Sequence, residues 1–263
     1  MKKIIILLIV LIVGVLGYFG YKNLDLLGLK KAPNGPTVEK IIQRGTLIVG
    51  TDATYPPLES IGENGEIVGF DVDLAKEIGK QMGVEVKLVD ISFDNIFTRL
   101  EKGDIDMIMS SVTITPARAE KYAFSNPYFN AGQAIVVNKT NTTIKGVVEL
   151  KGKKIGIQPG TTSQEEALRY TNKELVLEYP DYLKAASDLL LNKIDAMIMD
   201  YPAGVGLVQE TPQLQVVGGP FTQEFYGVVI RKDESDLAIF VNQSLSKLKS
   251  SGKLVQIQKN WGL

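Results

Sequence analysis

The chain has 263 residues, enough for one large domain or two modest ones, and its 44% hydrophobic and 22% charged residues exclude both a disordered chain and a multi-span membrane protein. Lys plus Arg total 29 against 30 Asp plus Glu, so no basic surface recommends nucleic acid as a partner. Cysteine and histidine are absent, which removes disulfides, thiolate or imidazole metal sites, cysteine nucleophiles and the Ser-His-Asp triad.

Residues 1–36 carry five lysines against the single Asp25, a balance of +4, which leaves a mildly acidic remainder. Between Lys3 and Lys22 lie eighteen uncharged positions, residues 4–21. At 1.5 Å per residue they span about 27 Å, just enough for a bilayer core. The basic end followed by an apolar stretch also has the layout of a secretory signal. Its nearest small-x-small site, Val15-Leu16-Gly17, sits inside the apolar run. Residues 1–22 are therefore expected to be an uncleaved membrane anchor, with a cleaved signal peptide as the alternative. A linker over 23–36 follows, marked by Pro33, Gly35 and Pro36.

Beyond the linker, apolar runs suited to strands alternate with helical patterns. TLIVGTD (46–52) ends in a loop carrying Asp52, Tyr55 and Glu59, stiffened by Pro56 and Pro57. FDVDLAKEIGKQMG (70–83) sets Val72, Leu74, Ala75, Ile78 and Met82 on one stripe, with Asp71 as the expected N-cap and Gly83 as the stop. EVKLVD (85–90) is followed by Phe93; Tyr55 and Phe93 together can sandwich a ligand, although aromatics after strands commonly belong to a core. DMIMSS (106–111) leads into Thr113 and then Pro116, with Arg118 in the first turn of the next helix. A planar guanidinium beside hydroxyls and free helix amides suits a carboxylate; taken alone, Arg118 fits equally well a surface pair with Glu120.

AIVVN (134–138) and KIGIQ (154–158) are the next strands. QPGTTSQEE then offers two capping boxes, Thr162 with Glu165 or Ser163 with Glu166, and would aim the amides of 161–163 at an anion. LVLEY (175–179), a helix over 181–193, DAMIMD (195–200), QVVGG (215–219), YGVVIR (226–231) and a helix over 234–252 complete the chain. Strands apolar along their whole length predict burial on both faces, as in a parallel doubly wound α/β sheet. One echo divides this α/β body: RLEKGDIDMIMSS (99–111) and LLLNKIDAMIMD (189–200) both run from a helix end through Ile-Asp into Met-Ile-Met. As equivalent strands of two lobes, they would bring Ser110, Ser111 and Asp200 to one cleft, because ligands bind beyond the carboxyl ends of strands in open α/β sheets.

In order along the chain, GTLIVGTDATYPPLES, GEIVGFDVDLAKEIGKQMG, GDIDMIMSSVTITPAR, FSNPYF, LKGKKIGIQPGTTSQ, IDAMIMDYP and GKLVQIQKNWG resemble the periplasmic polar amino-acid-binding proteins of ABC importers. The likeness is nearest to the glutamine, histidine and lysine/arginine/ornithine binders, and it covers roughly residues 37–263. It implies a type II two-lobe fold, with residues 37–130 plus 226–263 as lobe one, 131–225 as lobe two and two hinge crossings. It also implies the site. Arg118 would grip the ligand α-carboxylate with Thr113, Thr161 and Thr162, while Asp200 and Ser111 hold the α-ammonium. Tyr55 and Phe93 would flank the side chain, with Asp52 at its far end. Gln158 and Met199 stand where relatives vary with ligand. The implied protein lies outside the membrane, takes arginine or lysine first and glutamine second, uses no cofactor and delivers to an ABC permease. A cyclohexadienyl dehydratase-like enzyme and a ligand-sensing receptor subunit use the same scaffold and are the alternatives.

Overall fold

In the computed structural model, residues 34–263 are described, and Thr37–Leu263 form one compact unit. The apolar run 4–21 and nearly all of the 23–36 linker lie outside the described residues. Among the described residues, no helix is long and apolar enough to cross a membrane.

The unit is built on two five-stranded sheets. After helix α1 (Pro36–Arg44) come β1 (Thr46–Thr51), the short antiparallel β2 (Thr54–Tyr55), β3 (Glu59–Ile61) and β4 (Ile67–Val68), then α2 (Phe70–Met82), β5 (Glu85–Asp90), α3 (Phe93–Glu101), β6 (Met107–Ile108), α4 (Pro116–Lys121) and β7 (Tyr122–Phe124). The chain crosses on β8 (Phe129–Ala131) and builds the second sheet from β9 (Gln133–Asn138), β10 (Ile155–Ile157), α5 (Thr162–Tyr170), β11 (Val176–Glu178), α6 (Tyr182–Leu190), β12 (Ala196–Asp200), α7 (Tyr201–Glu210) and β13 (Leu214–Val217). It returns on β14 (Glu224–Tyr226), inserts β15 (Val229–Arg231) into the first sheet and closes with α8 (Ser235–Ser250) and α9 (Lys253–Asn260). The first sheet has the order β5-β1-β6-β15-β7 and the second β11-β10-β12-β9-β13. The crossings β8 and β14 pair antiparallel, Glu224 opposite Ala131 and Tyr226 opposite Phe129.

Each sheet alternates its side chains between two packed faces. Leu47, Val49 and Met107 join the cluster under α2 and α8, whereas Ile108 and Val229 pack with Phe93, Ile96 and Leu100 of α3. In the second sheet Ile135, Ile155, Ile157 and Ile198 meet Ala167 of α5, while Val136, Met197 and Met199 meet Tyr182, Ala185 and Leu189 of α6.

Four expectations need correction. The sheets are mixed: β15 and β7 in the first, and β9 and β13 in the second, run antiparallel to their neighbours. EVKLVD is an edge strand with alternating exposed positions, not one buried on both faces. YGVVIR divides, because Tyr226 ends the crossing and Val229 begins a sheet strand. Asp71 is no N-cap; Gly69 holds that place. Gly69 has φ 145°, and a Cβ there would lie 2.1 Å from the Leu58 carbonyl oxygen, so the turn that brings 57–59 against α2 requires glycine. Asp71, two residues past the cap, is fully buried instead.

Candidate functional site

The third strand of each sheet, β6 or β12, pairs parallel with one neighbour and antiparallel with the other. Beyond their carboxyl ends lies a cavity of about 370 Å³. The structure brings all nine expected residues, Asp52, Tyr55, Phe93, Ser111, Thr113, Arg118, Thr161, Thr162 and Asp200, to its walls, joined by Glu59, Ser110, Gln158, Ser163 and Tyr182.

The first-lobe wall is a hydrogen-bonded acidic floor. Asp52, just past β1, donates its backbone N–H to Ser110 Oγ at 2.9 Å. Ser110 Oγ donates to Glu59 Oε1 at 3.1 Å and Ser111 Oγ to Glu59 Oε2 at 3.2 Å. Ser111 holds the left-handed conformation, φ 51°, so that its N–H reaches Asp71 Oδ2 at 2.7 Å, where the Tyr128 hydroxyl also donates at 2.7 Å. Burial, reinforced by Asp71, pushes Glu59 well above the usual carboxylate range, and burial lifts Asp71 to about 6. Asp52 is spoken for on three sides. Its Oδ2 accepts from the Phe93 N–H (3.0 Å) and from Gln158 Nε2 of the second lobe (2.8 Å), and its Oδ1 from Thr54 Oγ1 (2.8 Å). With two lone pairs per oxygen, one acceptor position is left for a ligand.

Arg118 lies in the first turn of α4, behind Pro116, and Thr115 caps the helix by accepting the Arg118 N–H. Its guanidinium does not pair with Glu120. It donates from Nη1 to the Thr113 carbonyl at 2.8 Å and from Nη2 to the Gly160 carbonyl of the second lobe at 2.9 Å. Its Cζ stands 5.6 Å from the Phe93 ring centre and 5.5 Å from that of Phe97. Burial pulls its pKa down, and Glu165, Asp200 and Glu224 oppose that pull.

Asp200 ends β12 and precedes α7. Its Oδ1 accepts from Gln133 Nε2, its Oδ2 from the Tyr226 hydroxyl, and its backbone N–H donates to the Tyr55 hydroxyl across the cleft at 2.8 Å. Burial and the neighbouring Glu224 push it up to about 7. The tyrosine thus contributes its hydroxyl to lobe contact, while its ring lies 5.2 Å from that of Tyr182.

Thr161, at the N-cap of α5, donates to the Gln158 carbonyl at 2.7 Å, and no side chain caps the helix. Neither expected capping box forms. The Thr162 hydroxyl is drawn to Glu224 Oε2 (2.9 Å) and the Ser163 hydroxyl to Gln133 Oε1 (2.7 Å). Thr113 Oγ1 donates to the same Glu224 oxygen at 2.7 Å, so one carboxylate on a crossing strand gathers a threonine from each lobe. Glu224, Gln133, Tyr226 and Tyr182 escaped the sequence reading, and Ser163 entered it only as a helix cap. Their only available signal was position beside a crossing or a strand end, which tertiary pairing alone identifies. Among the described residues, no cluster of acidic side chains is placed to hold a metal ion.

The chain from 47 to 263 matches the family described as bacterial extracellular solute-binding proteins, family 3. It is 34% identical over 237 residues, 89% of both chains, to the L-cystine-binding protein TcyJ of Escherichia coli K12. It is 38% identical over 202 residues to the ABC transporter glutamine-binding protein GlnH of Bacillus subtilis, covering 75% of this chain and 74% of that one. Among solved structures, the arginine-bound form of truncated ArgBP from T. maritima superposes with a TM-score of 0.77 at 41% identity, covering 80% of this chain and 99% of that one.

Proposed function

We propose, on the premise that this chain belongs to the bacterial extracellular solute-binding proteins, family 3, and is the amino-acid-binding component of an ABC importer, that its ligand is a free L-amino acid with a cationic side chain. Arg118 has three N–H donors beyond the two committed to carbonyls, and these take the α-carboxylate together with the backbone N–H groups of Thr113, Thr161 and Thr162, whose hydroxyls already donate to Glu224 and to the Gln158 carbonyl. Asp200 and Ser111 take the α-ammonium. Tyr55 and Phe93 flank the side chain, and Asp52 receives its far end.

One observation carries the cationic reading. Arg118 is the one cationic residue lining the cavity, against Asp52, Glu59 and Asp200. A zwitterionic backbone uses Arg118 and Asp200 on each other's behalf, which leaves Asp52 to face whatever the side chain brings. A second carboxylate there meets like charge with little water to screen it, whereas a guanidinium or ammonium gains an opposite charge and two aromatic faces. Glutamine ranks second, because Gln158 already shows that an amide can satisfy Asp52. The arginine-bound and glutamine-binding relatives support this order. As ligands, free amino acids therefore rank as arginine or lysine, then neutral polar, then acidic. A thermal-shift screen of the twenty amino acids tests it, since ligand at 100 times its Kd adds about 2.7 kcal/mol of stability. Glutamate displacing bound arginine would overturn the ranking.

Capture works by hinge closure between residues 37–130 plus 226–263 and residues 131–225, with the ligand favouring the closed form through contacts made only there. The loaded protein then delivers to an ABC permease. Residues 4–21 hold the protein to the membrane. Full-length protein should stay in the membrane pellet through a high-salt wash, and its recovery as a soluble species beginning near residue 18 would show a cleaved signal instead.

A further inference from the structure

Helix α7 starts at Asp200 and runs along the rim of the cleft, facing the loop that carries Tyr55. Gly206 lies inside this helix, where glycine is a poorer helix former than alanine. Its place has a steric reason. A Cβ on Gly206 would lie 2.7 Å from Pro57 Cδ and 3.0 Å from the Pro56 carbonyl oxygen, both in the first lobe. Neither neighbour is the flexible end of a side chain. On one side Ala203 and Leu207 are buried in the cluster against which Tyr55 packs, and on the other Val205 and Gln209 face Pro57 across a groove of about 840 Å³. At Gly206 the helix backbone itself comes against the proline loop, about 9 Å along the helix from the Asp200 N–H that meets the Tyr55 hydroxyl.

We infer that Gly206 against Pro56–Pro57 is the stop that sets how far the lobes close, making Gly206 a positioning residue that places Tyr55 and Asp200 at their working separation. The inference rests on the closure mechanism proposed above. An added methyl pushes α7 away from the proline loop, lengthens the Tyr55–Asp200 approach and leaves the cleft wider.

The test uses the full chain with spin labels on Ile239→Cys and Val148→Cys, exposed positions of the first and second lobes in a protein without native cysteine. Gly206→Ala should lengthen the label separation with arginine present and weaken arginine binding at least fivefold by calorimetry, while the unliganded melting temperature stays at or above the parent's. A label separation unchanged by Gly206→Ala, with arginine and without it, overturns the inference, as does arginine binding within twofold of the parent's. A parent that binds none of the twenty amino acids overturns the proposed function instead, and the ligand-free separations still judge the contact.

Discussion

Replacing Arg118 by lysine keeps the charge and removes the fork. The guanidinium has five N–H donors, of which one goes to the Thr113 carbonyl and one to the Gly160 carbonyl, leaving three. An ammonium has three in all. If it holds both carbonyls, one donor remains for a carboxylate that arginine meets with two in parallel. The loss is therefore one hydrogen bond to a charged group, about 1.5–3 kcal/mol, which is roughly tenfold to 150-fold in Kd. Loss of the guanidinium's contact with the Phe93 and Phe97 rings adds to it, because an ammonium is more strongly hydrated and leaves those rings less covered. Calorimetry with arginine as ligand reads the effect directly. The unliganded melting temperature, measured alongside, separates it from damage to the Arg118–Gly160 contact between the lobes. A change below tenfold in a variant that melts like the parent would remove Arg118 from carboxylate recognition.

Asp200→Asn should weaken binding and abolish ligand-induced compaction in small-angle scattering, since it deletes the second-lobe charge proposed for the ammonium; equal compaction in both proteins would assign Asp200 to a structural role. An ammonium selects the ionised carboxylate, and Asp200 stands at about 7 in the empty site, so affinity should fall by up to tenfold per pH unit below 7 and level off above it; a flat profile between pH 5.5 and 8.5 would refute this. The empty protein should show the opposite slope. Asp71 at about 6 and Asp200 at about 7 both lie above their unfolded value of about 3.9, so the folded state holds their protons more tightly. Their stabilisation is complete below that unfolded value and is lost as pH rises through 6 and 7. The unliganded melting temperature should accordingly drop from pH 5.5 to pH 8, less so in Asp200→Asn, and a rise would contradict it. Asp52→Asn should cost arginine and lysine far more than glutamine in competition assays, and an equal loss for all three would show that Asp52 orders the Phe93 and Gln158 contacts without reading the side chain.

Local chemistry in the sequence foretold features that depend on local rules. Pro116 does open a helix with Arg118 in its first turn, and the two Met-Ile-Met runs do occupy matching places, each between a parallel and an antiparallel neighbour. Strand direction was not legible, because Ala134–Val137 and Val229–Ile230 are as apolar as any parallel strand and nothing local reveals which way a partner runs. Asp71 misled for the same reason. An acidic residue before an amphipathic stripe looks like a cap, whereas here its carboxylate lies buried under Ser111 and Tyr128, residues 40 and 57 positions away. The capping boxes of α5 failed against long-range competition, Glu224 and Gln133 outbidding the helix's own amides for the two hydroxyls. Glu224 itself sits in an unremarkable stretch, and its role emerges only when the two crossings lie side by side.

The strand order of the first sheet also bears on how the chain is made. β7 has β15 as its ladder partner, and β6 has β15 as one of its two neighbours. When Phe124 is added to the growing chain, Val229 is still more than a hundred residues from being synthesised, so the first sheet waits with an unfilled slot beside β6. The second sheet, by contrast, has all its strands once Val217 has emerged. Although its residues come later, it is the first of the two able to complete its hydrogen bonding. The usual order of N-terminal before C-terminal is reversed here. During that interval β6 and β7 expose open edges, the condition in which unpaired strands seek partners on other chains. Slow synthesis of residues 131–225 prolongs the exposure, and a chaperone that shields the early half has its natural window between residues 124 and 231.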